Sequence, residues 1–263
     1  MSKLSISNIA WALENDGAVY GLMRKFGYTG LEIAPTRIFP ENPYGKITDA
    51  RKWSETLNNE YGFCIPSMQS IWYGRGEKIF GTDEERHVLS MYTKQAIDFA
   101  AAIGCRNLVF GCPRNRILPD GCDSEVAVLF FKELGDYAYE HGTVIGMEAN
   151  PPIYNTNYIN DTASALKLIE RVNSEGFRLN LDIGTMIQNN ESTEVIEDRV
   201  RFINHVHVSE PGLKPIAEHS LHDRIKTVLN KEDYDGYVSI EMGTVEDIEI
   251  IENAMSYVRE IFA

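Results

Sequence analysis

Residues 144–148 read Val-Ile-Gly-Met-Glu, 177–182 Phe-Arg-Leu-Asn-Leu-Asp, 205–210 His-Val-His-Val-Ser-Glu and 237–241 Tyr-Val-Ser-Ile-Glu. Each is a short apolar run that ends in, or alternates with, a side chain able to ligate a metal: Glu148, Asp182, a histidine of the pair His205 and His207, and Glu241. Measured to His207, the intervals are 34, 25 and 34 residues, close to one strand, one helix and two loops. Side chains at equivalent points of consecutive β/α units converge only where the strands are parallel and closed into a barrel. There the C-terminal ends of all strands share one face.

Outward from these runs, strand-like and helix-like segments alternate eight times. Strands are expected at 4–10, 30–34, 65–71, 107–110, 144–148, 178–182, 205–209 and 238–241. Helices are expected at 15–26, 49–61, 84–103, 124–141, 161–174, 193–201, 220–229 and 245–261. Apolar spacings of three and four, as in Val126, Phe130, Leu134 and Tyr137, carry the helical assignments. Gly27, Gly62, Gly104, Gly142, Gly176 and Gly236 follow or end several of them, as left-handed C-caps require. Such alternation predicts an α/β fold, a single (β/α)8 TIM barrel occupying residues 1–263 as one domain. No Gly-x-Gly-x-x-Gly follows a strand, so nothing supports a dinucleotide fold. Three connections, 35–47, 72–83 and 111–123, exceed the usual roughly two to six residues. In a barrel they lie on the catalytic face, as a lid or specificity rim.

Composition narrows the function class. The 263 residues carry 25 basic and 39 acidic side chains, a net charge of −14. Nucleic-acid binders need a basic footprint, so none is expected as a partner. Cys64, Cys105, Cys112 and Cys122 lack zinc-finger spacing and read as reduced thiols. The amino-terminal residues 1–11 do not read as a signal peptide, and no run approaches a membrane span of roughly 20 apolar residues. A soluble, cytoplasmic protein with no membrane partner is expected.

Two glutamates, an aspartate and a histidine make an oxygen-rich donor set. It suits one divalent cation, Mn²⁺, Mg²⁺, Co²⁺ or Zn²⁺. Singly, each residue could be a capping or salt-bridged carboxylate, or a hydrogen-bonded core histidine. Together they point to a metal, because three buried carboxylates without a cation are costly. Trp72 and Tyr73 could wall a ring-shaped ligand, or belong to the core. Arg114 and Arg116 could grip a phosphate or carboxylate, or form surface ion pairs. Asn150 and Glu210 follow the ligand candidates closely and could orient them or bind substrate. Glu32 and Gln69 lie on strands whose ends should face the site. His219 and His222 could hold a second metal, though orienting substrate or capping the helix suits them better.

The motifs Met147-Glu148-Ala149-Asn150, Leu181-Asp182-Ile183-Gly184, 205–210 and 234–241 resemble the xylose isomerase-like barrels, and among these the ketose 3-epimerase and hydroxypyruvate isomerase group. The resemblance covers the whole layout, with its specific motifs in the second half. It implies that Glu148, Asp182, His207 and Glu241 hold the metal, which selects His207 over His205. It further implies a carbohydrate substrate, with a metal-held enediolate between Glu148 and Glu241 as alternating acid and base. Homo-oligomers are compatible with the family.

Three positions depart from the pattern. Thr185 stands where these epimerases often carry histidine, Tyr154 where they carry a second glutamate, and Leu213, beside Lys214, where they carry arginine. Substrate positioning must therefore differ. The expected activity is a metal-dependent sugar isomerase or epimerase. A dehydratase acting on a keto-sugar or inosose is the first alternative, since an enediolate can expel a β-hydroxyl, and a non-catalytic carbohydrate-binding protein is the second. The endonuclease IV type of DNA repair needs extra histidines where this chain has Gln69, Gly111–Cys112 and Thr185, and is disfavoured.

Overall fold

Seven of the eight expected strands form in the computed structural model, which describes residues 2–263: β1 (Lys3–Ser7), β2 (Gly30–Glu32), β3 (Leu108–Phe110), β4 (Ile145–Met147), β5 (Phe177–Asp182), β6 (Ile203–Ser209) and β7 (Tyr237–Glu241). All pair in parallel, in the order β2-β1-β7-β6-β5-β4-β3. The first strand lies beside the last, and the sheet curls until Glu32 on β2 meets His207 on β6.

The expected strand at 65–71 is the exception. It forms isolated bridges, Cys64 with Gly30 and Met68 with both Ile33 and Leu108. Leu31 N–H donates to Cys64 O at 2.9 Å, and Val109 N–H donates to Met68 O at 2.8 Å. The segment thus bonds to both edges of the sheet without regular pairing. Pro66 offers no N–H, and Ser70 takes a left-handed φ of 56°, so a continuous ladder cannot run through it.

The helices are α1 (Asp16–Phe26), α2 (Pro35–Ile38), α3 (Ile47–Tyr61), α4 (Asp83–Ala102), α5 (Glu125–Glu140), α6 (Thr162–Val172), α7 (Ile183–Asn189), α8 (Ser220–Lys231) and α9 (Ile248–Phe262). A capping box of Thr82 and Glu85 starts α4, the longest. The helix expected at 193–201 is instead two short 3-10 turns, Thr193–Val195 and Val200–Phe202. The helix of that unit, α7, leaves β5 directly because the Asp182 carboxylate accepts from the Gly184 and Thr185 N–H groups. The 35–47 connection holds α2 and a 3-10 turn at Pro43–Gly45. No helix among the described residues is long and apolar enough to cross a membrane.

Apolar strand faces pack against the helices, as where Phe131 of α5 stacks on Phe177 of β5 at 4.8 Å between centroids. Here α5 comes so close to β5 that a Cβ on Gly176 would run into the Gly135 carbonyl. Inside the curled sheet the residues turn polar. Asn107 Nδ2 donates to Ser67 Oγ at 3.0 Å and to Asn180 Oδ1 at 3.2 Å, and Asn180 Nδ2 donates onward to Glu148 Oε1 at 2.9 Å. These bonds carry the interior up to the site.

The Gly176 contact is with backbone, which cannot rotate away. Gly176→Ala should therefore cost roughly 3 kcal/mol, the upper end of overpacking penalties. Urea unfolding measures this, and a loss below about 0.5 kcal/mol, typical of surface substitutions, would refute the close approach.

Candidate metal centre

Glu148 follows the end of β4, Asp182 ends β5, Glu241 ends β7 and His207 lies inside β6, beside Asp182 and Ser239 in register. His207 Nδ1 lies 3.0 Å from Glu148 Oε1 and 3.2 Å from Glu241 Oε2. It makes no hydrogen bond of acceptable geometry to either, so a wholly buried ring nitrogen faces two carboxylate oxygens without a donor–acceptor partner. That orphaned nitrogen, between two acceptor-only groups, fits a cation held by Glu148, His207 and Glu241.

Asp182 lines the same pocket but stands apart from that triad. Ser209 Oγ donates to its Oδ1, and Thr185 donates to its Oδ2 from both N (3.0 Å) and Oγ1 (2.7 Å). Asp182 is thus a helix cap, one of its ordinary readings, and ligation by it requires a neighbouring donor to give way. Thr185 also reaches Ala149 O at 2.9 Å, so this departure from the family pattern buttresses Asp182.

Burial and the Glu148 charge push the Asp182 carboxyl up to about 6. Burial pushes Glu241 up to about 7, against the opposing pull of His207. Burial alone would lower His207, but the carboxylates of Glu32 and Glu241 outweigh it and hold the imidazole well above its ordinary value.

One residue surfaces here that the sequence left as a surface candidate. Arg116 is wholly buried, donating to Glu148 O at 2.9 Å and to Asn150 Oδ1 at 2.7 Å. Asn150 Nδ2 in turn donates to Glu148 Oε2 at 3.2 Å. Burial lowers the guanidinium to about 10, so it stays charged at neutral pH. Gly111 leaves room for this arrangement, because a Cβ there would collide with Glu148 Oε2.

The pocket above the triad encloses about 550 Å³. Trp72, Gln69, Asn150 and Arg114 all line it. The indole N–H of Trp72 is spent on Thr93 at 2.8 Å, so only its ring is on offer. Gln69 turns its amide to Ser7 Oγ at 2.8 Å, while Arg114 is exposed at the rim. Glu210 does not line the pocket; its carboxylate takes the Ala217 N–H and His219 Nε2. His222 bonds Tyr257 instead, so the two histidines do not form a second metal pair. Tyr154 and Leu213 also line the pocket, and the Tyr154 hydroxyl accepts from Gly212 N–H at 2.9 Å.

The curled parallel sheet with its acidic mouth defines a class, and a family model described as "Xylose isomerase-like TIM barrel" matches residues 21–261. The chain belongs to that family. No curated protein sequence matches it. Among solved structures it is similar to the 3-keto-D-glucoside 4-epimerase YcjR of E. coli, at 17% identity and TM-score 0.77, covering 99% of this chain and 100% of that one. It is also similar to the D-psicose 3-epimerase of Clostridium cellulolyticum H10, at 14% identity and TM-score 0.77, covering 99% of each chain. A family 2 AP endonuclease from Brucella melitensis matches over 100% of both chains, at 18% identity and TM-score 0.74. At these identities the likeness is one of fold.

The Asp182 and Glu241 carboxyls have pKa values above those of unfolded carboxyls, so these two groups hold protons more tightly in the metal-free fold than in the unfolded chain. Their contribution to stability should fall as pH rises from about 5 to about 8. Glu241→Gln should flatten that slope, by on the order of 1–3 kcal/mol across the range. Mn²⁺, which competes with protons for the same oxygens, should raise the melting temperature more at pH 8 than at pH 6. Thermal melts across pH with and without Mn²⁺ test this, and a metal effect larger at pH 6 contradicts it.

Proposed function

We propose that this protein is a sugar isomerase or epimerase, acting on a carbohydrate or sugar derivative with one divalent cation. The observation that carries the reading is the approach of Glu148 and Glu241 to a single orphaned nitrogen of His207, on the floor of a pocket of about 550 Å³. We further propose that residues 1–263 form one catalytic domain, with the bridged segment around Met68 as the eighth stave of its barrel. Two of the similar structures are sugar epimerases, in agreement with the sugar reading. The net charge of −14 favours it over DNA chemistry, despite the endonuclease among the similar folds.

Glu148, His207 and Glu241, with Asp182 beside them, would hold the cation. Bound there, it would supply positive charge to adjacent carbonyl and hydroxyl oxygens and so acidify the hydrogen on the hydroxyl-bearing carbon next to the carbonyl. Glu148 and Glu241 approach from β4 and β7. With a sugar carbon between them, one carboxylate can take its proton and the other deliver one to the opposite face, inverting the centre. Return of the proton to the neighbouring carbon would instead interconvert aldose and ketose. Arg116, bonded to the Glu148 carbonyl and to Asn150, fixes the Glu148 carboxylate through this work. The Trp72 ring offers an apolar wall, Asn150 lines the polar side, and Arg114 at the rim can bind an outlying oxygen or anionic group.

Solvent deuterium exchange into a panel of ketoses, aldoses and inososes, with Mn²⁺ present, tests the reading. Exchange at a carbon next to the carbonyl is expected. Glu148→Gln and Glu241→Gln should each slow it by roughly 10²–10⁴-fold, the range for a positioned acid or base. Metal-bound protein that exchanges no hydrogen in any of these sugars would overturn it.

A further inference from the structure

Below the proposed metal site lies a carboxylate that the reaction does not use. Glu32 ends β2, is wholly buried, and points across the inside of the curled sheet. Its Oε2 lies 2.9 Å from His207 Nε2 and 3.2 Å from His205 Nε2. Its Oε1 accepts from Gln69 Nε2 at 3.4 Å, and the same amide holds Ser7 Oγ at 2.8 Å. Three other stretches of chain, β6, the segment at Gln69 and, through it, Ser7 of β1, therefore fix this one side chain.

We propose that Glu32 is a positioning residue that decides which nitrogen of His207 is offered to the metal. The inference rests on the metal-dependent reading above and names a part of that site. An ionised carboxylate can only accept, so when His207 is the neutral ligand of a cation the 2.9 Å contact places its one proton on Nε2. The lone pair is then left on Nδ1, the atom that faces Glu148 Oε1 and Glu241 Oε2. The other neutral tautomer would set the Nε2 lone pair against the Glu32 oxygen and aim an N–H at the place of the cation. Glu32 thus orients the ring, selects its tautomer and, by its charge, raises the basicity of Nδ1.

Glu32, His205 and His207 also lie close enough to be a cation site themselves. Occupying it would require stripping the proton from His207 Nε2 at a point where all three side chains are nearly inaccessible, at 0%, 2% and 0% exposure. The positioning role asks for neither. It also accounts for Gln69, whose amide turns from the pocket toward Ser7 and Glu32.

Zn²⁺ binding is the test, measured by competition calorimetry on the parent, Glu32→Gln and Glu32→Ala, alongside metal-free melting curves. The alanine variant should bind Zn²⁺ roughly 10–100-fold more weakly, as loss of an outer partner to a ligating histidine does. The glutamine variant, whose amide oxygen can still accept from Nε2, should lose less. Histidine ¹⁵N spectra of the Zn²⁺-loaded parent should show His207 protonated on Nε2 and ligated through Nδ1. The alanine variant should show that tautomer preference weakened.

Folded variants that bind Zn²⁺ within about twofold of the parent, changing only in melting temperature, would assign Glu32 a merely structural role and overturn the proposal. Ligation through Nε2 in the parent would overturn it even if neither variant folds. A parent that binds no divalent cation would remove the metal-dependent reading and this inference together. A parent that binds Zn²⁺ beside unaffected variants removes the inference alone.

Discussion

Negative charge buried at one point is the constraint on which this structure depends. Glu148, Glu241 and Glu32 are nearly or wholly inaccessible, and Asp182 is only partly exposed beside them. Charges of one sign cannot share a low-dielectric site without raised carboxyl pKa values, a cation, or donors on every oxygen. The protein combines the first two with donors on some of the oxygens. Asp182 and Glu241 are pushed up, Arg116 and His207 bring positive charge, and Asn150, Asn180, Ser209 and Thr185 supply donors.

These supports come from elements far apart in the chain, and this explains why the site needs a curled sheet. Asn180 of β5 reaches Glu148 after β4, Ser209 of β6 reaches Asp182 of β5, and Glu32 of β2 reaches His207 of β6. Neighbouring parallel strands can share the first two contacts. The third spans the interior and exists only because curvature brings opposite walls together. A flat sheet would leave Glu32 and His207 on separate strands with nothing between them to bond.

The departures from the family pattern also acquire physical content. Thr185 places its hydroxyl between Asp182 and the Ala149 carbonyl, a short-range buttress for that carboxylate. Tyr154 spends its hydroxyl on the Gly212 N–H, tying together two loops at the pocket wall. Leu213 adds an apolar surface there. At these two positions the pocket wall is therefore less charged than the pattern predicts.

The sequence by itself determined the alternation of strands and helices, the parallel α/β class, and the four chain positions at which Glu148, Asp182, His207 and Glu241 occur. Hydrophobic periodicity and strand-end spacing are local properties, legible in one dimension. Tertiary structure alone decided the remainder. A proline and a left-handed serine break the ladder at 65–71, the unit after β5 forms its helix at 183–189 rather than 193–201, and Asp182 becomes that helix's cap. The structure also showed that Arg116, not Arg114, is the buried arginine, that Glu210 turns away to His219, and that Glu32 stands behind His207. Those outcomes depend on which side chains meet across the curled sheet. Such meetings join residues as much as 175 positions apart, as Glu32 and His207 are, so no pattern read along the chain encodes them.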